Sequence, residues 1–172
     1  MSQSLLDTIC PPLDGRIIRL TVAVPRFDSW DAAIMAGTPD TRPQPQLKIH
    51  RIGNQFAIPE ARPHVRLILM WAGPDSKTSP IDASSWGRRN GLLSTNPYTV
   101  FAVSALARPL HELFSCGGGV GLVATEQQMF ESYPNVCGVY HSKKTGERRA
   151  GVSGNGFHFL DRTLFAFEEP LG

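Results

Sequence analysis

The chain has 172 residues, 41% of them hydrophobic and 19% charged, with a formal net charge of +2. That length suits one domain with a real core, and so small a charge does not by itself imply nucleic acid. No apolar stretch reaches the length of a membrane span, and three widely spaced cysteines make no disulfide framework, which points to a reducing, cytoplasmic setting.

Residues 1–15 read as an irregular segment with no basic n-region and no long apolar run, which argues against a secretory signal. Arg16–Val24 reads as a strand, because Ile18, Leu20, Val22 and Val24 alternate with Arg19, Thr21 and Ala23. Asp28 or Ser29 can cap a short helix that runs through Met35 and stops at Gly37. Residues 38–46 hold three prolines and read as loop. Leu47–Ile52 and Gln55–Ile58 suggest a hairpin around Gly53-Asn54. His64–Trp71 is the most hydrophobic strand candidate and the expected centre of a sheet.

Residues 73–96 form a long polar connection, and connections of that length are usually functional or disordered. Next comes the stretch with the strongest helical period. Val100, Val103, Leu106, Leu110, Leu113 and Phe114 recur at steps of three and four, after Asn96 as N-cap and Pro97 at the first helical position. Pro109 kinks or breaks this helix, and Gly117 suits its C-cap. The β-branched and aromatic residues of 98–106 leave a strand over Tyr98–Ala105 as the competing reading. Leu106, Leu110 and Leu113 are expected to face the sheet together with Val22, Ile68, Leu122 and Val139.

Cys116–Ala124 reads as a buried strand entered through a glycine run. Thr125 with Gln128 resembles a capping box, which predicts a helix ended by Pro134. Asn135–His141 and Arg148–Ser153 pair as strands across SKKTGE, and Gly156–Glu169 supplies one or two more. Strands at both ends and helices in the middle predict a single α+β domain with a mainly antiparallel sheet.

Four groups of residues could carry chemistry. His111, Cys116, Cys137 and His141 are a zinc set in type, though not in spacing, while buried free cysteine is the simpler account. Cys116 could act as a nucleophile beside backbone donors of the glycine run, with His111, His141 or His158 as base. A helix C-terminus would oppose its thiolate. The glycines do not form a phosphate cradle, because they follow a helix and precede a strand. Lys143, Lys144, Arg148 and Arg149 gather on the 142–149 hairpin, where they could grip a polyanion. Arg42, Lys48, Arg51, Arg62 and Arg66 crowd an earlier segment, opposed there only by Glu60.

The fourth group is Trp86, Arg88 and Arg89 within the 84–90 loop, residue types enriched at interaction hot spots. No catalytic motif is present, so the leading expectation is a non-enzymatic binding protein of the adaptor, inhibitor or immunity type. It would meet a protein partner through Trp86, Arg88 and Arg89, with neither cofactor nor metal. The alternatives are a nucleic-acid binder using Lys143, Lys144, Arg148 and Arg149, and a cysteine- or zinc-dependent enzyme using Cys116 and Cys137 with His111 and His141.

Overall fold

The computed structural model describes residues 16–71, 78–106, 119–153 and 162–171. Its elements in chain order begin with β1 (Arg16–Val24), α1 (Trp30–Gly37), α2 (Lys48–Arg51) and β2 (Arg62–Trp71). They continue with α3 (Pro80–Arg89), β3 (Leu93–Ser94), α4 (Pro97–Ser104), β4 (Val120–Ala124) and β5 (Gln128–Phe130). Last come β6 (Tyr133–His141), β7 (Arg148–Ser153) and β8 (Arg162–Glu168). The strands form one sheet in the order β1-β2-β8-β4-β6-β5, with β3 also paired to β8 and β7 to β6. Every pairing is antiparallel except that of β4 with β8. The chain is thus an α+β domain with a mainly antiparallel sheet.

The unbroken apolar run of β2 follows from its place in that sheet. Successive strand residues point to opposite faces, and here both faces are covered. Leu67, Leu69 and Trp71 join Leu122, Val139, Leu164 and Ala166 in a large core with α1, α2 and α4. Ile68 and Met70 join Val123, Val136, Phe165 and Phe167 on the other face, beneath Ala83 and Trp86 of α3. β1 lies at the sheet margin, where its expected alternation holds: Val22 and Val24 are buried and Thr21 and Ala23 exposed.

The first helix starts where its sequence says it should. Ser29 Oγ accepts from Ala32 N–H at 3.1 Å, satisfying a donor that has no partner inside the helix. The expectation for 98–106 resolves to helix. Asn96 Oδ1 accepts from Tyr98 N–H at 2.9 Å and Pro97 occupies the first turn. α4 is buried on every side, not along one stripe, since all of its residues lie in the interior. Gly37 makes this possible: a Cβ there would stand 2.5 Å from the backbone oxygen of Phe101. Leu106 falls beyond the helix and is 38% exposed, so it does not face the sheet as expected. Pro109, Leu110, Leu113 and Gly117 lie outside the described residues.

Three other expectations are corrected. Residues 47–58 do not form a hairpin. They form α2 and a 3-10 turn over Ile52–Gln55, because Ile49, Ile52 and Phe56 at helical spacing are drawn into the core. Trp30 fixes them, stacking on Phe56 at 5.4 Å and donating from Nε1 to Ile49 O at 2.6 Å.

Thr125 does not start a helix. Its hydroxyl is committed to the sheet, donating to Ala166 O at 2.6 Å and accepting from Thr95 N–H at 3.0 Å. The chain continues as β5 and turns back into β6 through Glu131 and Ser132, both left-handed (φ 51° and 68°). This is the two-residue turn of a tight hairpin.

The polar stretch 73–96 is not a structureless loop either, since it contains α3. Ser79 Oγ accepts from Asp82 N–H at 3.1 Å and the Asp82 carboxylate reaches back to Ser79, a complete capping box with Pro80 inside it.

Trp86 is the largest side chain that α3 buries. It is 2% exposed and lies 5.5 Å from the Phe167 ring. Trp86→Ala is therefore expected to cost about 3–5 kcal/mol in urea unfolding. Trp86→Phe should cost clearly less, since it keeps most of the ring volume and removes an indole N–H that is buried without a hydrogen-bond partner among the described residues. Equal stability of wild type and the alanine variant would contradict this packing. Ser132→Gly should raise stability by about 0.5–1 kcal/mol, because glycine relieves the left-handed backbone. A lowered denaturation midpoint would show that the turn is not built as described.

Candidate functional site

The second face of the sheet creates the site. β4 ends at Ala124, opposite Ala166 of β8, and β3 takes up the next positions, Ser94 against Phe167 and Leu93 against Glu168. Thr125 bridges the gap between these two short strands through its hydroxyl, and Glu126 N–H donates to Thr95 O at 3.1 Å. α3 lies over this junction. Gly87 lets it come close, since a Cβ there would stand 2.3 Å from the Phe167 ring. That contact explains a residue that otherwise weakens a helix by about 1 kcal/mol.

A cavity of about 210 Å³ opens between α3 and the junction, lined by Ile81, Ser84, Arg88, Ser94, Thr125 and Gln127. Ser84 Oγ donates to Thr125 O at 3.4 Å and accepts from Gln127 Nε2 at 3.3 Å. Arg88 and Arg89 are exposed in the last turn of α3, where positive charge suits the helix dipole. Neither meets a carboxylate among the described residues. Arg88 donates only loosely, from Nη2 to Ser85 Oγ at 3.4 Å. Trp86 is different from what the sequence suggested. It faces the core on the opposite side of the helix, so it anchors α3 and presents no surface to a partner.

The basic hairpin does not gather its four cations. Lys143 and Lys144 are exposed at its tip. Arg149 pairs with Glu147 at 2.9 Å. Arg148 turns inward, its Nη1 donating to Ser104 O at 2.9 Å. The strand edge beside it is covered as well. Arg148 N–H donates to Asp40 Oδ2 and Ala150 N–H to Thr41 Oγ1, both at 2.8 Å. The earlier basic segment is largely paired with acids distant in sequence, while Arg42 is exposed and meets no carboxylate among the described residues. Glu131 pairs with Lys48 and Arg51, Glu168 with Arg62, and Glu169 with Arg66. Glu60 pairs with Arg26 instead.

Of the thiol and imidazole set, His111 and Cys116 lie outside the described residues, as does His158. Cys137 and His141 are four apart on β6, which puts their Cα atoms roughly 13 Å apart, too far to share one ion. Cys137 is 1% exposed, and burial, with Glu126 adding to it, pushes its thiol well above the ordinary cysteine range. That is an inert packing cysteine, not a nucleophile.

His141 is also buried, with Nε2 at 2.7 Å from Ser104 Oγ. This pair invites comparison with a catalytic dyad, but the hydroxyl proton is already used. Ser104 Oγ donates to Gly37 O at 2.5 Å, so the imidazole must be the donor to the serine. The pair ties the ends of α1 and α4 to β6.

A second cavity, of about 450 Å³, is lined by Asp31, Met35, Pro43, Pro45, His50, Arg51 and Asn54. No sequence motif announces it, because Asp31 and His50 stand 19 positions apart. His50 Nδ1 lies 2.9 Å from Asp31 Oδ1 and Nε2 lies 3.0 Å from Arg42 O. Both ring nitrogens are engaged, so the imidazole offers this cavity no free base.

No helix among the described residues is long and apolar enough to cross a membrane. No protein-family model matches the chain, and searches of curated proteins and of solved structures return no match.

Proposed function

We propose that the chain is a non-enzymatic interaction protein, of the adaptor, inhibitor or immunity type, that meets a protein partner through the outer face of α3. The observation that carries this reading is the pair Arg88 and Arg89: two exposed guanidinium groups on a firmly anchored helix, without carboxylate partners among the described residues. Elsewhere, Arg19, Arg26, Arg51, Arg62, Arg66 and Arg149 each meet a glutamate. Arginine is favoured at interfaces because its planar fork can bind a carboxylate through two hydrogen bonds.

One exposed apolar side chain, Ile81 on α3 (54% exposed), lies on the same surface. It can exclude water around a charged contact. Trp86 supports the site from behind by keeping α3 in a single orientation. The polyanion reading has weaker support, because Arg148 and Arg149 are already engaged within the chain. A cytoplasmic setting fits the wide spacing of the cysteines and the buried free thiol of Cys137.

The test is the double substitution Arg88→Ala with Arg89→Ala, measured against a partner isolated from the native host and purified. The expected result is an unchanged melting temperature and at least a tenfold loss of affinity, about 1.4 kcal/mol. Unchanged affinity would remove the reading. So would binding that disappears only when Lys143, Lys144, Arg148 and Arg149 are replaced by serine, with a flattened salt dependence.

A further inference from the structure

We propose that the cavity beside Arg88 receives a single carboxylate side chain, a glutamate or aspartate of the partner. The inference rests on the protein-contact reading and says what that partner places there.

Size is the first argument. Cavities that hold whole small molecules run to roughly 300–1,000 Å³. At about 210 Å³ this one is too small for such a ligand, and it suits one inserted side chain.

Charge is the second. The lining holds one guanidinium, the hydroxyls of Ser84 and Ser94, the Gln127 amide and Thr125, with no carboxylate among them. The acids closest in sequence are occupied. Glu126 accepts from Asn96 Nδ2 at 3.1 Å and from Gln128 Nε2 at 3.2 Å. Asp82 accepts from Ser79 Oγ at 2.7 Å. A single cation in the lining matches one negative charge. Phosphate groups are usually held by clusters of arginines, which this lining lacks.

The third argument is the quality of the hydrogen bonds. The floor is tight: Thr125 Oγ1 sits 2.6 Å from Ala166 O. The groups that face the cavity are loosely held, with Gln127 to Ser84 at 3.3 Å and Arg88 to Ser85 at 3.4 Å. Contacts that long contribute little, so these donors can turn towards an entering carboxylate at small cost. A rigid floor under adjustable donors, with an unmatched positive charge at the rim, is an acceptor site for an anion of this size.

The test follows the Arg88 Nε–Hε resonance by NMR in the full chain. The probes are the blocked tripeptide acetyl-Gly-Glu-Gly-amide, its glutamine analogue and inorganic phosphate. The glutamate peptide is expected to shift the resonance saturably, with Kd on the order of 10 mM. The glutamine peptide and phosphate are expected to bind at least tenfold more weakly. Ser94→Leu changes an exposed position and fills the cavity without altering charge, so it should abolish the response while the protein stays folded.

Three results would overturn the proposal: no saturable shift, equal binding of glutamine peptide or phosphate, or an undiminished response in Ser94→Leu. If the titration fails while Arg88→Ala with Arg89→Ala still loses the protein partner, the cavity proposal falls alone. If the double variant keeps its partner, the contact reading falls and takes this proposal with it.

Discussion

A sheet whose central strands are apolar on both faces must be covered twice, and most of this molecule follows from that constraint. β2, β4, β6 and β8 send alternate residues into two separate cores. One face is closed by α1, α2 and α4. The other depends on α3, whose inner surface amounts to little more than Pro80, Ala83, Trp86 and Gly87. So narrow a stripe is effective because Trp86 is large and lies against Phe167 while Gly87 allows close approach. Burying one side chain of that size contributes on the order of 2–3 kcal/mol, a large share of the few kcal/mol by which a domain is stable. With Trp86 fixed inward, the helical period places Arg88 outward, and Arg89 is exposed as the last residue of the helix.

Polar groups settle the joins that apolar packing leaves open. Thr125 substitutes a hydroxyl for a ladder bond where β4 stops and β3 begins. Ser104, His141 and Gly37 O pin three elements together in the interior. Asp40 and Thr41 occupy backbone donors at the outer edge of β7 and so blunt an edge that could otherwise pair with another chain. These groups resemble catalytic or basic-patch signals when read as residue types. Their hydrogen-bond partners show them to be structural ties.

What was legible in the sequence was whatever depends on near neighbours. The alternation in Arg16–Val24, the Ser29 cap, the Asn96-Pro97 helix start and the strands around SKKTGE each rest on short-range rules. The failures came where a distant partner overrode a local signal. Thr125 had the residue pattern of a helix cap, yet Ala166 and Thr95 claimed its hydroxyl. Residues 47–58 looked like a hairpin until Trp30 is seen to gather Ile49 and Phe56. α3 was hidden by its polarity, although Ser79, Pro80 and Asp82 spell its start. The site shows the same division. Arg88 and Arg89 are candidates from the sequence alone, whereas Ser94, Thr125 and Gln127 come to line a cavity with Arg88 only through the shared row of β3 and β4 on β8.

The proposed interaction surface requires that α3 belong to the cooperative fold and not be a detachable cover. Native-state hydrogen exchange tests this directly. If α3 closes the second core, the amides of Trp86 and Asn90, hydrogen-bonded within and at the end of the helix, should exchange only through global opening. Their protection would then match that of Phe165 and Phe167 in β8. Exchange many-fold faster in α3 than in β8, with a separate response to denaturant, would contradict the account. The second face of the sheet would then open on its own, and Arg88 and Arg89 would have no fixed place to meet a partner.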